Sequence, residues 1–173
     1  MKIIVAVDQN WGIGCKGKLL FDIPEDMRHF KGMTLNKVVV MGRNTFESLP
    51  GGKPLPDRVN IVLAAEDDFK PREGITLCRT APETLEKIKG YPTDDVFIIG
   101  GGMVYKTFLN YCNEAAVTKV RAAREADSFF PNLDEDENWE KAGESQVKEH
   151  DGLKFTFTKY RNVSPFSLSQ PVK

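Results

Sequence analysis

Apolar and polar positions form blocks along the chain, and the blocks have the lengths of strands and helices. Continuous apolar runs of strand length, typical of strands buried on both faces, occupy 3–7, 37–41, 58–63, 75–78, 95–99 and 115–120. Helical patterns follow several of them, at 23–36, 42–49, 82–89 and 103–109. Alternation of this kind predicts a mostly parallel sheet with helices on both faces.

The pattern changes after residue 120. Segments 128–130 and 153–159 read as strands, but no helix of the same quality separates them, so we expect both to be antiparallel at the sheet edge. The predicted fold is a single α/β domain with a mostly parallel central sheet of about eight strands, flanking helices and an antiparallel C-terminal edge strand. This domain spans 1–162. A tail over 163–173, with three Ser and two Pro, follows as an appendage.

The stretch around Asp26 is the first candidate for chemistry. Helical periodicity puts Ile23, Met27 and Phe30 on one apolar face, with Pro24 suited to the first helical position. The polar face then takes Glu25, Arg28, His29 and Lys31. Asp26 falls at the edge of the apolar stripe. It either complements the helix dipole or is a carboxylate held against apolar walls, which is costly unless something binds it.

Composition and charge exclude several classes of protein. The 173 residues favour one domain, and a net charge of −1 gives no basic field for nucleic acid or an anionic membrane. Three widely spaced cysteines (Cys15, Cys78 and Cys112) argue against a disulfide framework and for a reducing compartment. Residues 1–8 are too short an apolar run for a signal peptide, and no run reaches the ~20 residues of a membrane span. We expect a soluble cytoplasmic protein.

Two strand-to-helix junctions have the composition of anion sites. Gly100, Gly101 and Gly102 follow one strand, where glycine lets backbone approach a ligand, although a tight turn without a ligand has the same sequence. The other junction, 42–45, places the guanidinium of Arg43 and the hydroxyl of Thr45 at a helix start. Because open α/β sheets bind ligands beyond the carboxyl ends of their strands, the two junctions fit the phosphates of NADP.

Other chemistries lack support. The two histidines, His29 and His150, are far apart and have no ligand partners, so no metal site is expected. The acidic run 134–137 reads as a solvated loop rather than a metal site. There is no Gly-x-Ser-x-Gly elbow, and the aromatic residues are not interleaved with basic clusters.

Five segments together resemble one family, the dihydrofolate reductases: 5–14, 23–27, 40–48, 54–58 and 98–105, which agree in order and spacing. The resemblance covers Met1 to about Arg161. It implies reduction of 7,8-dihydrofolate to tetrahydrofolate with NADPH, a place in one-carbon metabolism, and binding of dihydrofolate and antifolate-type inhibitors. We also expect a monomer.

The resemblance implies roles for individual residues. Asp26 matches the single carboxylate that holds the pterin, and Thr118 matches a hydroxyl linked to it. Arg58 matches an arginine that clamps the substrate's glutamate carboxylate. The other implied substrate residues are Ile4, Val5, Met27, Phe30, Leu49, Lys53 and Ile99. The implied cofactor residues are Ala6, Ile13, Gly14, Lys18, Leu19, Gly42, Arg43, Asn44, Thr45, Leu63, Ala64, Arg79, Gly100, Gly101, Gly102, Met103, Val104 and Tyr105.

Further expectations concern the backbone and two departures from the family pattern. The resemblance implies a mobile lid over 8–23 and a cis peptide bond at Gly100–Gly101. Where the family usually has Leu-Pro-Trp, this chain has Leu19-Leu20-Phe21, and Phe21 lacks the indole N–H that orders a water near the pterin. The family often has hydroxyl residues after the third strand, where this chain has Ala64 and Ala65. Arg43 and Arg79 would then carry the 2′-phosphate.

The expected chemistry is hydride transfer from the cofactor to pterin C6 with a proton to N5. No side chain beside Asp26 is placed to donate that proton, so we expect Asp26 to polarise the pterin and water to protonate N5. Two alternatives remain. One is a reductase of the same fold that acts on a pyrimidine intermediate of riboflavin synthesis and need not carry a carboxylate at this position. The other is a nucleotide-binding regulatory module without turnover.

Overall fold

The computed structural model describes residues 1–66 and 68–170. Its helices and strands, in chain order, are β1 (Lys2–Val7), β2 (Gly12–Cys15), β3 (Lys18–Leu19), α1 (Pro24–Thr34), β4 (Val38–Gly42), α2 (Arg43–Ser48), β5 (Val59–Leu63), β6 (Ile75–Cys78), α3 (Ala81–Ile88), β7 (Val96–Gly100), α4 (Gly102–Phe108), β8 (Glu114–Val120), β9 (Ser128–Phe129), β10 (Trp139–Glu144), β11 (Lys148–His150) and β12 (Leu153–Asn162). Short 3₁₀ turns lie at Pro50–Gly52, Thr93–Asp95 and Leu109–Tyr111.

The central sheet confirms the predicted architecture. Its strand order is β10-β12-β8-β1-β7-β4-β5-β6, and all neighbours from β8 to β6 run parallel. At the other edge, β12 is antiparallel to β8 and opposes Phe157 to Thr118. The first strand of the chain therefore lies inside the sheet, between β7 and β8.

Strands β10 and β11 were not predicted. Both pair with β12 at the edge of the sheet, and Trp139 is the one buried residue of β10. Because an edge strand in solvent needs no apolar alternation, its sequence does not distinguish it from a polar loop.

The predicted loop after β1 is partly wrong as well. Within 8–20, strands β2 and β3 pair with each other, and β2 also pairs with β9, which gives a separate three-stranded antiparallel sheet. The segment 128–130 thus joins this small sheet rather than the central one. Strand β2 contains Gly12 and Gly14, so its conformation comes from its partners and not from residue propensity.

Helix α1 begins with Pro24 in its first turn, as predicted. Its two faces differ from the predicted pattern. Met27 is 46 % exposed although it was placed on the apolar face. His29 was placed on the polar face, but its ring lies 4.3 Å from that of Phe157 and is half-buried. The reason is that β12 covers part of the face that an isolated amphipathic helix would leave to water.

The core lies on both faces of the central sheet, and alternate strand residues enter opposite clusters. Ile3, Val5 and Val7 pack into one cluster, whereas Ile4 packs into the other. Within the described residues, none of the helices is long and apolar enough to cross a membrane.

The predicted tail is described as far as residue 170, and 171–173 lie outside the described residues. Part of it packs on the domain. Phe166 donates its backbone N–H to Asn110 O at 2.7 Å, and its ring meets that of Tyr111 edge to face. The hydroxyl of Tyr111 donates to the carbonyl of Gln170.

Candidate active site

Asp26 lies in the first turn of α1, facing strand β8. The hydroxyl of Thr118, itself 2 % exposed, donates to Asp26 Oδ1 at 2.5 Å. The two residues are 92 positions apart in the chain. Thr118 is level with Ala6 on the parallel neighbour β1, so the carboxylate sits over the centre of the sheet.

The surroundings of Asp26 make its ionised form unfavourable. Burial raises the pKa of Asp26, while the hydrogen bond from Thr118 and the nearby His29 oppose the rise. Burial also lowers the pKa of His29, and the Asp26 charge opposes that change. Asp26 is therefore a half-buried carboxylate that accepts a hydrogen bond from a neutral hydroxyl and forms no salt bridge with the described residues.

Asp26 is also close to the helix that follows the glycine triplet. Tyr105 of α4 is fully buried and donates its hydroxyl to the carbonyl of Ile4 at 2.8 Å. Burial, and next the Asp26 charge, raise the pKa of Tyr105. Ile4 lies two residues before Ala6, which is level with Thr118, so strand β1 connects the acid with the glycine junction in one site.

Apolar residues form one wall of this site. Ile4 is buried in the cluster against which Phe30, Leu49 and Ile99 pack. Val5, predicted with them, points into the cluster on the other face of the sheet, because successive strand residues alternate. Met27 lies on the same helix as Asp26 and is exposed at the open side.

An open cleft of about 540 Å³ lies beside the loop that precedes β5. Arg58 and Lys53 line it together with Leu55 and Glu73. The guanidinium of Arg58 is fixed by Thr34 Oγ1 at 3.2 Å and by the carbonyls of Pro56 and Lys31. These contacts fix the guanidinium at the cleft and leave one N–H on each of Nη1 and Nη2 for an anionic group.

The glycine junctions meet at the carboxyl edge of the sheet. Met41 is level with Gly100, and Gly42 is level with Leu63. The Gly100–Gly101 peptide bond is cis, as the resemblance implied. A Cβ on Gly42 would lie 3.0 Å from Val104 Cγ2, and one on Gly101 would lie 3.3 Å from Thr45 Oγ1. These contacts keep the junction free of side chains, which fits a ligand held against the backbone.

The segment 8–21 is fastened to 122–129 by hydrogen bonds. The carboxylate of Asp8 accepts from the backbone N–H groups of Asn10, Gly12 and Arg124. Lys16 donates its N–H to Asp127 Oδ2 at 2.6 Å. Of the predicted cofactor residues here, Ile13 is buried, Gly14 pairs with Leu19, and Lys18 and Leu19 are exposed.

Arg124 was not predicted. Its guanidinium donates to the carbonyl of Leu20 at 2.5 Å and lies 4.7 Å from the ring centroid of Phe21. Phe21 itself is buried. Nothing in the sequence around Arg124 indicated a partner a hundred residues earlier, so only the fold identifies this contact.

At the predicted phosphate end, both arginines have partners within the protein. Arg43 pairs with Glu47 and Asp68, and the guanidinium of Arg79 donates to the carbonyls of Ala64, Glu66 and Phe69. Ala64 is 2 % exposed, whereas Asn44 is exposed. Both arginines are thus already engaged, which residue type and position alone did not indicate.

Comparisons with known proteins agree on one family. A family model described as dihydrofolate reductase matches residues 1–162. The Bacillus subtilis dihydrofolate reductase is 34 % identical over 146 residues, which is 84 % of this chain and 83 % of that protein. A viral dihydrofolate reductase of Saimiriine herpesvirus 2 is 35 % identical over 94 % of this chain and 85 % of its own length.

Two further relatives complete the comparison. The bifunctional dihydrofolate reductase-thymidylate synthase of Daucus carota is 37 % identical over 78 % of this chain, but the chain spans only 28 % of its length. A solved dihydrofolate reductase from Enterococcus faecalis, complexed with NADP(H) and RAB-propyl, superposes with a TM-score of 0.82 at 32 % identity and covers 93 % of this chain and 95 % of its own.

Proposed function

The chain belongs to the dihydrofolate reductase family, and from this premise we propose that it reduces 7,8-dihydrofolate to 5,6,7,8-tetrahydrofolate with NADPH. The observation that carries the proposal is the half-buried carboxylate of Asp26, bonded to Thr118, which is level with Ala6 of the strand whose Ile4 carbonyl accepts from Tyr105 of α4. When bound, NADPH supplies the hydride. This activity serves one-carbon metabolism.

The chain's own residues bind and orient the substrate. Asp26 accepts hydrogen bonds from the 2-amino group and N3 of the pterin, which compensates a carboxylate that burial otherwise disfavours. Ile4, Phe30, Leu49 and Ile99 form the apolar wall against which the rings pack. Antifolate-type inhibitors occupy the same cleft.

Arg58 holds the far end of the substrate. Three contacts to Thr34, Pro56 and Lys31 orient its guanidinium, so that a carboxylate meets a preorganised donor pair. Lys53 lines the same cleft and adds positive charge.

Water supplies the proton to N5, since His29, the titratable neighbour of Asp26, packs its ring against Phe157. Phe21 offers no N–H to that water, and it is fixed beneath Arg124. Asp26 acts by polarising the pterin, and the segment 8–21 limits the entry of bulk solvent.

We propose that the catalytic domain extends over 1–162, since β12 ends at Asn162. We also propose a monomer in the cytoplasm. Three cysteines without disulfides support a reducing compartment. Size-exclusion chromatography with light scattering tests the monomer.

A steady-state assay of NADPH oxidation with dihydrofolate tests the function. We expect turnover, and we expect Asp26→Asn to lower kcat/KM at neutral pH by at least about 100-fold. Glu25→Gln, a change in the same helical turn, should retain activity because Glu25 pairs with Lys148 away from the cleft. Full activity of Asp26→Asn would reject the role of Asp26.

The same assay separates the alternatives. A regulatory module would bind NADPH without oxidising it. A reductase for a pyrimidine intermediate of riboflavin synthesis would turn over that intermediate and not dihydrofolate. The carboxylate at Asp26 favours the pterin substrate over both.

A further inference from the structure

Arg43 is the cation at the start of helix α2, at the junction 42–45, and two carboxylates already pair with its guanidinium. Asp68 Oδ1 accepts from Nη1 at 2.7 Å and Oδ2 from Nη2 at 3.3 Å, while Glu47 Oε1 accepts from Nε at 3.1 Å. The ring of Phe69 lies beneath the guanidinium, 5.5 Å from Arg43 Cζ. Every nitrogen of the guanidinium therefore donates to a carboxylate.

Two other arginines lie at this end among the described residues, Arg79 and Arg72, and Arg72 Cζ lies 5.0 Å from the centroid of the Phe69 ring. Arg79 donates to three backbone carbonyls of 64–69, which fixes the loop rather than a ligand. Ala64 and Ala65 have no hydroxyl. Thr45 directs its hydroxyl toward the glycine triplet, since its Oγ1 would lie 3.3 Å from a Cβ on Gly101.

The pairing with Asp68 uses the donors that a phosphate would use. A guanidinium binds carboxylate and phosphate through the same two parallel N–H groups, so the two anions compete for one site and repel each other. A cofactor with a 2′-phosphate must displace Asp68, whereas a cofactor with a 2′-hydroxyl need not. The free-energy cost of displacing Asp68 therefore weakens the binding of NADPH but not that of NADH.

We propose that Asp68 is a specificity-determining residue that competes with the 2′-phosphate for Arg43 and narrows the preference of this chain for NADPH over NADH. The proposal rests on the proposed function for the identity of the cofactor. It concerns affinity for the 2′-phosphate, which can be measured without turnover.

Isothermal titration of the full chain with 2′,5′-ADP and with 5′-AMP tests the proposal, because these probes differ only in the 2′-phosphate. We expect Asp68→Asn to lower the dissociation constant for 2′,5′-ADP by about two- to five-fold, which is the range for an exposed ion pair. The dissociation constant for 5′-AMP should not change. In an Arg43→Ala background the same change should have no effect.

Glu66→Gln is the matched control. Glu66 carries the same charge in the same loop, but Arg43 pairs with Glu47 and Asp68. An equal gain from Glu66→Gln would show a general effect of loop charge and overturn the proposal. So would unchanged binding of 2′,5′-ADP by Asp68→Asn, or an equal gain for 5′-AMP.

The ratio of kcat/KM for NADPH to that for NADH gives a second readout, which Asp68→Asn should raise by the same factor. A chain that fails to reduce dihydrofolate yet shows the expected titrations would reject the proposed function and keep the role of Asp68. If the chain reduces dihydrofolate normally, but Asp68→Asn binds each probe with the same affinity as the wild type, the role of Asp68 is rejected and the proposed function is kept.

Discussion

Replacing Asp26 by Asn should stabilise the folded protein at neutral pH while it removes activity. Burial raises the pKa of Asp26 and outweighs the hydrogen bond from Thr118 and the charge of His29. The ionised carboxylate therefore costs free energy in the empty protein. An amide has nearly the same shape, carries no charge, and can still accept the Thr118 hydrogen bond through its oxygen.

Proton linkage determines how this stabilisation depends on pH. With the folded-state pKa above the unfolded value, the folded protein holds the proton to higher pH, so the free energy of unfolding falls as pH rises through this range. The gain from Asp26→Asn should therefore be present above that range and vanish below the unfolded pKa of ~3.9. We expect about 1 kcal/mol, the usual scale for relieving a functional site, or about 2–4 °C in Tm.

Thermal unfolding of the ligand-free protein at about pH 7.5 and about pH 3.5 measures the effect. Glu25→Gln is the control with the opposite sign. Its hydrogen bond to Lys148 is the main reason that the pKa of Glu25 is lowered, so its charge stabilises above the unfolded pKa and that contribution is lost on acidification. If Asp26 merely complemented the helix dipole, Asp26→Asn would lower Tm at neutral pH, a result that would exclude a net cost of the buried charge.

Two further predictions concern the segment 8–21 and the glycine triplet. Arg124→Ala removes the hydrogen bond to Leu20 and the contact with Phe21, so amide hydrogen exchange in β2 and β3 should accelerate by about ten-fold. The control Arg121→Ala should leave the exchange rate unchanged. Equal exchange rates in the two variants would contradict the role of Arg124 in fastening this segment. Gly102→Ala puts a Cβ 2.9 Å from Ser128 Oγ and 3.1 Å from the Phe129 carbonyl, so calorimetry should show that the free energy of unfolding falls by about 1–3 kcal/mol. Gly143→Ala, whose Cβ would face open space, should leave it nearly unchanged.

The central strands could be predicted because their residues carry the information locally. Val38, Val39 and Val40 are all buried, and such a run is compatible with few structures other than an interior strand. Strand β10 carries no such signal, since only its first residue is buried. It forms because β12 offers a free edge, and that edge is a property of the whole fold.

Within the candidate site, too, some residues could be predicted from the local sequence and others could not. Asp26 and the glycine triplet were identifiable because each breaks a local rule, an acid beside an apolar stripe and three glycines after a strand. The partners that decide their chemistry come from distant segments. The ion pair of Arg43 with Asp68 and the contact of Arg124 with Phe21 depend on loop positions, which residue type does not encode.

The interior position of β1 has a consequence for synthesis on the ribosome. Lys2 is aligned with Phe97 on one side and with Glu114 on the other, so β1 is synthesised well before either neighbouring strand exists. Ile3 and Val7, fully buried at the end, are exposed to solvent and to chaperones throughout that interval. Incorporation of β1 into the sheet is therefore delayed relative to its synthesis, and the delay is set by topology rather than by the strength of any single contact.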